Sequence, residues 1–249
     1  MNLIKSKKEI EIMRDGGRIL AMVVKKLAMA TKPGVSAWDL EILARDLIKK
    51  AGARPSFLNY DNYPCALCIS INDVVVHGIP KKNEIIQNGD IIGLDLGLKY
   101  KELYTDMAVT VGVGKVSKVG NKLIKVCKKS LELAIAQIKP GNRIGDIGAV
   151  VQKYVEGQGF SVVRDLVGHG VGYGVHELPR IPNFGKPRTG GEILEGMCLA
   201  IEPMICEKGY SIKTDKDNWG VRTLDHGLAA HFEHTVVVTD KGCEILTRQ

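Results

Sequence analysis

The chain has 249 residues, 45% of them hydrophobic and 25% charged, with a formal net charge of +7. That is enough for one sizeable core, and no apolar run approaches the roughly 20 residues of a membrane helix, so a water-soluble globular protein with no membrane partner is expected. The polar start, Met1 to Glu11, has no apolar h-region behind a basic stretch, which makes the cytoplasm the expected location and reduced thiols the expected cysteine state.

Basic residues fall in scattered pairs such as Lys7-Lys8, Lys25-Lys26 and Lys128-Lys129. They read as a solvated lysine surface, with no specific nucleic-acid site, and four Phe and two Trp leave little for base stacking. Cys65 and Cys68 form one C-x-x-C, but their neighbours Ala66, Leu67 and Ile69 suit a strand better than a zinc knuckle.

In chain order, Ser6-Lys7-Lys8-Glu9 predicts a capping box before the periodic run Ile10, Met13, Ile19, Val23, Leu27. Lys32-Pro33-Gly34 stops that helix, and Ser36 to Asp39 starts a second, which ends near Gly52. Strands are predicted over 68–71, 74–76, 91–98 and 107–113. The same order then returns: a helix over 118–138, a stop at Lys139-Pro140-Gly141, a helix from Ile144 to near Gly157, then strands. One offset of 107 residues carries Lys32-Pro33-Gly34 onto Lys139-Pro140-Gly141, Asp39 onto Asp146, Gly52 onto Gly159, Gly89 onto Gly196, and Asp95 onto Glu202. That agreement predicts two pseudo-symmetric halves, about 1–113 and 114–249, in a single α+β catalytic domain spanning 1–249.

Asp95 lies in the apolar run Ile91 to Leu98, and Asp106 stands at the head of Met107 to Val111, with 97–104 expected as the connecting hairpin. Glu202 ends Cys198 to Glu202, and Glu233 heads the β-branched run His234 to Val238. Carboxylates inside apolar strands are costly unless something neutralises them, and no lysine or arginine is near in these runs. Divalent cations would do so, and four carboxylates with one imidazole suit two closely spaced ions of Mn, Fe, Co or Zn. The candidate imidazole is His169, between Gly168 and Gly170. His77 and His176 are candidates for orienting substrate or stabilising an oxyanion, although each alone also reads as an ordinary turn histidine. Zincin motifs are absent: His176-Glu177 is followed by Arg180, and His231 to His234 is one residue short of the inverted form.

The stretches Cys68 to Pro80, Asp95 with Asp106, Gly168 to Gly172 with His176 to Pro179, Ile201 to Met204, and Phe232 to Thr235 together resemble the type I methionine aminopeptidases of the pita-bread fold. The resemblance covers essentially the whole chain. It implies a curved antiparallel sheet covered by helices, and hydrolysis of the N-terminal methionine from nascent proteins, with a small second residue preferred. It implies Asp95, Asp106, His169, Glu202 and Glu233 as ligands of two divalent metals, Asp106 and Glu233 bridging. It further implies attack on the first peptide bond by metal-activated water, with Glu202 shuttling its proton and His77 and His176 contacting substrate. Tyr60, Tyr63, Cys68 and Trp219 match the methionine pocket. Phe57, Val175, Gly227 and His231 depart from the common pattern. Expected partners are nascent amino termini, with transient ribosome contact, for a monomer. A proline-directed aminopeptidase of the same fold and a non-catalytic binding protein are the competing readings; the second sits poorly with five retained ligand positions.

Overall fold

The computed structural model describes residues 3–248, in which one plan is used twice. The first half runs α1 (Lys7–Ala30), α2 (Ala37–Lys50), β1 (Arg54–Pro55), β2 (Leu67–Ile71), β3 (Val74–Val76), β4 (Ile91–Tyr100) and β5 (Leu103–Gly112). The second opens with α3 (Lys118–Ile135), α4 (Ile144–Gly157), β6 (Ser161–Val162), β7 (Val167–Gly170) and β8 (Glu177–Pro182). It continues through β9 (Cys198–Ile201), β10 (Met204–Cys206), β11 (Ile212–Thr214), β12 (Val221–Thr223), β13 (Ala229–His231), β14 (His234–Val238) and β15 (Cys243–Ile245).

The helix starts follow from their caps. The Ser6 hydroxyl accepts from the Glu9 N–H while the Glu9 carboxylate accepts from the Ser6 N–H at 2.7 Å, and Ser36 with Asp39 repeats the arrangement for α2. α1 buries Met13, Leu20, Val24 and Leu27 along one face and lies across β4 and β5. The duplication is metric: α2 and α4 each have 14 residues and stand 107 positions apart end to end. The glycines after the first helix of each half share a left-handed backbone, φ 90° at Gly34 and 89° at Gly141, which side chains disfavour.

Among the described residues hydrogen bonding divides the strands into four antiparallel sheets. The two larger ones, β1-β4-β2 with β5 on β4, and β15-β14-β9-β7-β8, belong one to each half. Each half packs its own apolar core under its helices. The halves are joined at the strands that carry the acids: the Asp106 N–H donates to Thr235 Oγ1 and that hydroxyl donates to the Asp106 carbonyl, both at 2.8 Å. The Glu233 N–H donates to the Ala108 carbonyl at 2.8 Å. Among the described residues no helix is long and apolar enough to cross a membrane.

The expected hairpin over 97–104 is present and tighter than the sequence suggests. β4 and β5 run into it and turn at Lys101 and Glu102, both with positive φ, so Asp106 lies within its strand instead of at its head. The third helix ends at Ile135, three residues before the expected 138.

Candidate metal centre and its cavity

The β4–β5 register sets Asp95 opposite Ala108 and Asp106 opposite Gly97. Asp106 and Ala108 are two apart in one strand, so both carboxylates leave the same face, diagonally related. In the second half β9 ends at Ile201 and delivers Glu202, while Glu233 sits between β13 and β14. His169 lies in β7, paired with Ala200 of β9 on one side and Arg180 of β8 on the other. Its flanking glycines are required by crowding. A Cβ at Gly168 would stand 2.6 Å from the Ala200 carbonyl oxygen, and one at Gly170 would overlap the Leu178 carbonyl.

Asp106, His169 and Glu233 each offer a ligand atom, all within 4.8 Å of one another, and all three are buried. Glu202 Oε1 lies 3.4 Å from His169 Nε2. The other ring nitrogen, Nδ1, is 2.9 Å from the Gly170 carbonyl oxygen; donating there leaves Nε2 as the free lone pair on the acidic side. Asp95 completes the group: its field and that of Glu202 both act on Asp106 and Glu233.

Burial dominates the electrostatics. It pushes the Asp95 carboxyl up to about 7, against an opposing pull from His231, and Glu202 up to about 8. Asp106 and Glu233 are raised well above the carboxylate range by burial first and by the neighbouring acids second. Burial lowers His169 to about 3 and His77 to about 4, keeping both neutral. Asp95 Oδ1 and Glu233 Oε1 are buried without a hydrogen-bond partner among the described residues. A cluster of four acids with orphaned oxygens and a neutral imidazole is a donor set that fits divalent cations and little else.

All these side chains line one cavity of about 550 Å³, together with His77, His176, Tyr60, Tyr63, Cys68 and Trp219. His176 stacks edge-on against His169, ring centroids 4.5 Å apart, and its Nδ1 lies 3.1 Å from the Tyr60 hydroxyl. Trp219 meets Tyr63 at 5.1 Å and His77 at 6.2 Å, closing the apolar end. The Tyr63 hydroxyl lies 3.0 Å from the Gly78 carbonyl and 3.2 Å from that of Leu67, which share its one proton, so its ring faces the cavity at a fixed angle. Of the departing residues Phe57 lines this cavity; Val175 and His231 are buried beside it. Leu166 and Arg180 also line it and had no signal in the sequence, since no motif marks a residue whose role is only to face a cavity built from distant strands.

Among the described residues, four helices and antiparallel sheets with an acidic site shared between the two halves make a pita-bread arrangement. Residues 11–240 match the model of metallopeptidase family M24, and the chain belongs to that family. It is similar to the methionine aminopeptidase of Clostridium acetobutylicum, 46% identical over 247 residues that cover 99% of each chain. It is similar in structure to methionine aminopeptidase from Thermotoga maritima, with a TM-score of 0.98 and 44% identity over the whole of both chains. The prolidase of Pyrococcus horikoshii shares the fold at a TM-score of 0.80 and 24% identity, with 99% of this chain matched to 64% of that one.

Proposed function

We propose that this metallopeptidase removes the N-terminal methionine from nascent proteins and peptides, preferring a small second residue. The carrying observation is a single cavity in which the Asp106, His169 and Glu233 triad, flanked by Asp95 and Glu202, adjoins an apolar recess of Tyr63, Cys68 and Trp219. That aromatic and thiol lining suits the flexible, unbranched thioether of methionine. Asp95, Asp106, His169, Glu202 and Glu233 would hold two divalent ions of Mn, Fe, Co or Zn. Such ions supply a water nucleophile at neutral pH and polarise the scissile carbonyl.

The chain's own groups do the rest. Glu202, with an ordinary carboxyl displaced upward by burial, takes the proton of the attacking water and passes it to the leaving amine. His176, held by Tyr60, donates to the carbonyl oxygen as it gains charge. His77, whose φ of 59° turns its ring into the cavity beside Trp219, contacts the substrate backbone. Tyr60, Tyr63, Cys68 and Trp219 hold the methionine side chain. We further propose that the two halves act as one catalytic domain, because the site takes two acids from the first half and two acids with the imidazole from the second. The proposed setting is a cytoplasmic monomer in transient contact with the ribosome, where new amino termini emerge.

The test is release of methionine from a Met-Ala-Ser peptide after chelation, with and without added Mn, Co or Fe. Activity is expected only with the added ion, and Asp106→Ala or Glu233→Ala should lose both bound metal and turnover. A chelated, metal-free sample that still cleaves the peptide refutes the metal reading, and faster cleavage of Leu-Pro than of Met-Ala peptides refutes the specificity.

A further inference from the structure

His231 is buried, 3% exposed, and its Nε2 has no hydrogen-bond partner among the described residues. A buried imidazole nitrogen without a partner needs an explanation. Its backbone is fixed twice over: the Thr110 hydroxyl donates to the His231 carbonyl at 2.7 Å and accepts from the His231 N–H at 2.9 Å. Thr110 belongs to β5, the strand that carries Asp106. On its other side, β13 pairs with β10, setting His231 opposite Met204, two residues past Glu202. From that anchored position Nε2 stops 3.4 Å from Glu202 Oε2. The other oxygen of the same carboxylate, Oε1, is 3.4 Å from His169 Nε2. Glu202 is thus bracketed by two imidazoles, one per oxygen. The Glu202 carbonyl is held as well, accepting from Asn183 Nδ2 at 3.0 Å.

We propose that His231 is a positioning residue for Glu202: its Nε2–H closes onto Oε2 and so holds the carboxylate with Oε1 on the His169 side. The inference rests on Glu202 being a ligand and proton carrier as described above. His231 does not line the cavity that Asp95, Asp106, His169, Glu202 and Glu233 share, and it approaches Glu202 at Oε2, so it acts through the carboxylate rather than as a ligand. Without that donor, Oε2 is a buried anionic oxygen free to swing, and the carboxylate loses its fixed orientation. Outer hydrogen-bond partners of metal ligands are typically worth about 10- to 100-fold in metal affinity or activity.

The experiment titrates Mn(II) into chelated and dialysed protein by calorimetry and compares the parent with His231→Leu and His231→Gln. Leucine removes the donor at similar bulk, whereas the glutamine amide can still donate toward Oε2. His231→Leu should weaken Mn(II) binding by about 10- to 100-fold, and His231→Gln should restore it to within about threefold of the parent. In a Glu202→Gln background, His231→Leu should add less than about threefold, since the two side chains act as one unit. Parent-like binding by His231→Leu overturns the proposal. So does a folded His231→Gln as weak as the leucine variant, or an undiminished leucine effect in the Glu202→Gln background. Should His231→Leu fail to fold, His231→Asn, polar but too short to reach Oε2, takes its place with the same expectation and the same refutation. A parent that binds no Mn(II) and releases no methionine strikes instead at the functional reading on which this one rests.

Discussion

His169 and His176 are seven residues apart and cross at 84° with centroids 4.5 Å apart, yet their surroundings give them different work. His169 Nδ1 is turned to the Gly170 carbonyl and its Nε2 to the acids, the arrangement of a metal-ligating imidazole. His176 Nδ1 is taken by the Tyr60 hydroxyl, so its other nitrogen is left for substrate. His176→Ala should therefore keep full metal content and near-parent KM but lose about 10²–10³ in kcat, the cost of removing one oxyanion donor. His169→Ala should lose metal. Metal analysis and steady-state kinetics under identical supplementation decide it: a metal-depleted His176→Ala, or one that turns over like the parent, removes the oxyanion role. The acids and His169 could be picked out of the sequence because buried charge and a glycine-flanked histidine are local oddities, whereas His176 alone reads as a turn histidine and is assigned only by the family resemblance. The Tyr60–His176 contact spans 116 positions and the His231–Glu202 contact 29, and neither leaves a periodic trace.

At the scale of elements, the segment before α1 is a strap. Lys5 Nζ donates to Glu177 Oε2 at 2.8 Å with both side chains 1% exposed, and the same ammonium lies 4.3 Å over the Tyr173 ring. Glu177 Oε1 meanwhile accepts from the Gly174 N–H at 2.7 Å, so the ion pair pins the turn that presents His176. Lys5 stands in a polar opening run that reads as solvated surface; only the approach of β8, 172 residues later, makes it a buried partner. Strand pairing has the same character: the apolar run of β4 is visible, but its extension to Tyr100 is set by β5 across the turn. Lys5→Met should strand the Glu177 charge and cost roughly 3–5 kcal/mol, while Lys5→Met with Glu177→Leu should recover much of it. Urea unfolding of the two variants measures this, and kcat should fall with the single change more than KM does, because His176 is next in the chain. Equal stabilities for the parent and Lys5→Met would mean the pair carries no weight.

Across the whole molecule, the duplication is read from helix punctuation that repeats at one spacing, and α2 and α4 have 14 residues each. The offset holds for Asp95 and Glu202 but breaks before Glu233, where β10 to β13 insert the hairpin that brings Trp219 over the recess. Four acids thus converge on the seam between halves, and the seam should govern stability. In protein stripped of divalent ions, Asp95 and Glu202 hold their protons up to about 7 and about 8 in the fold, against ordinary values of 3.8 and 4.5. The sign follows from proton binding: between those limits the folded chain holds more protons than the unfolded one, so stability falls as pH rises. The contribution is fully present below about pH 4 and is lost by about pH 8, working against the usual acid lability of the surface carboxylates. Cations reverse the slope, because they bind the deprotonated acids and stabilise only the folded state, by about 2.7 kcal/mol at a free concentration of 100 times Kd. Melting temperatures at pH 5.5, 6.5, 7.5 and 8.5, each with chelator and with excess Mn(II), should diverge steadily as pH rises. Two parallel curves would show that the acids at the seam neither hold protons nor exchange them for metal.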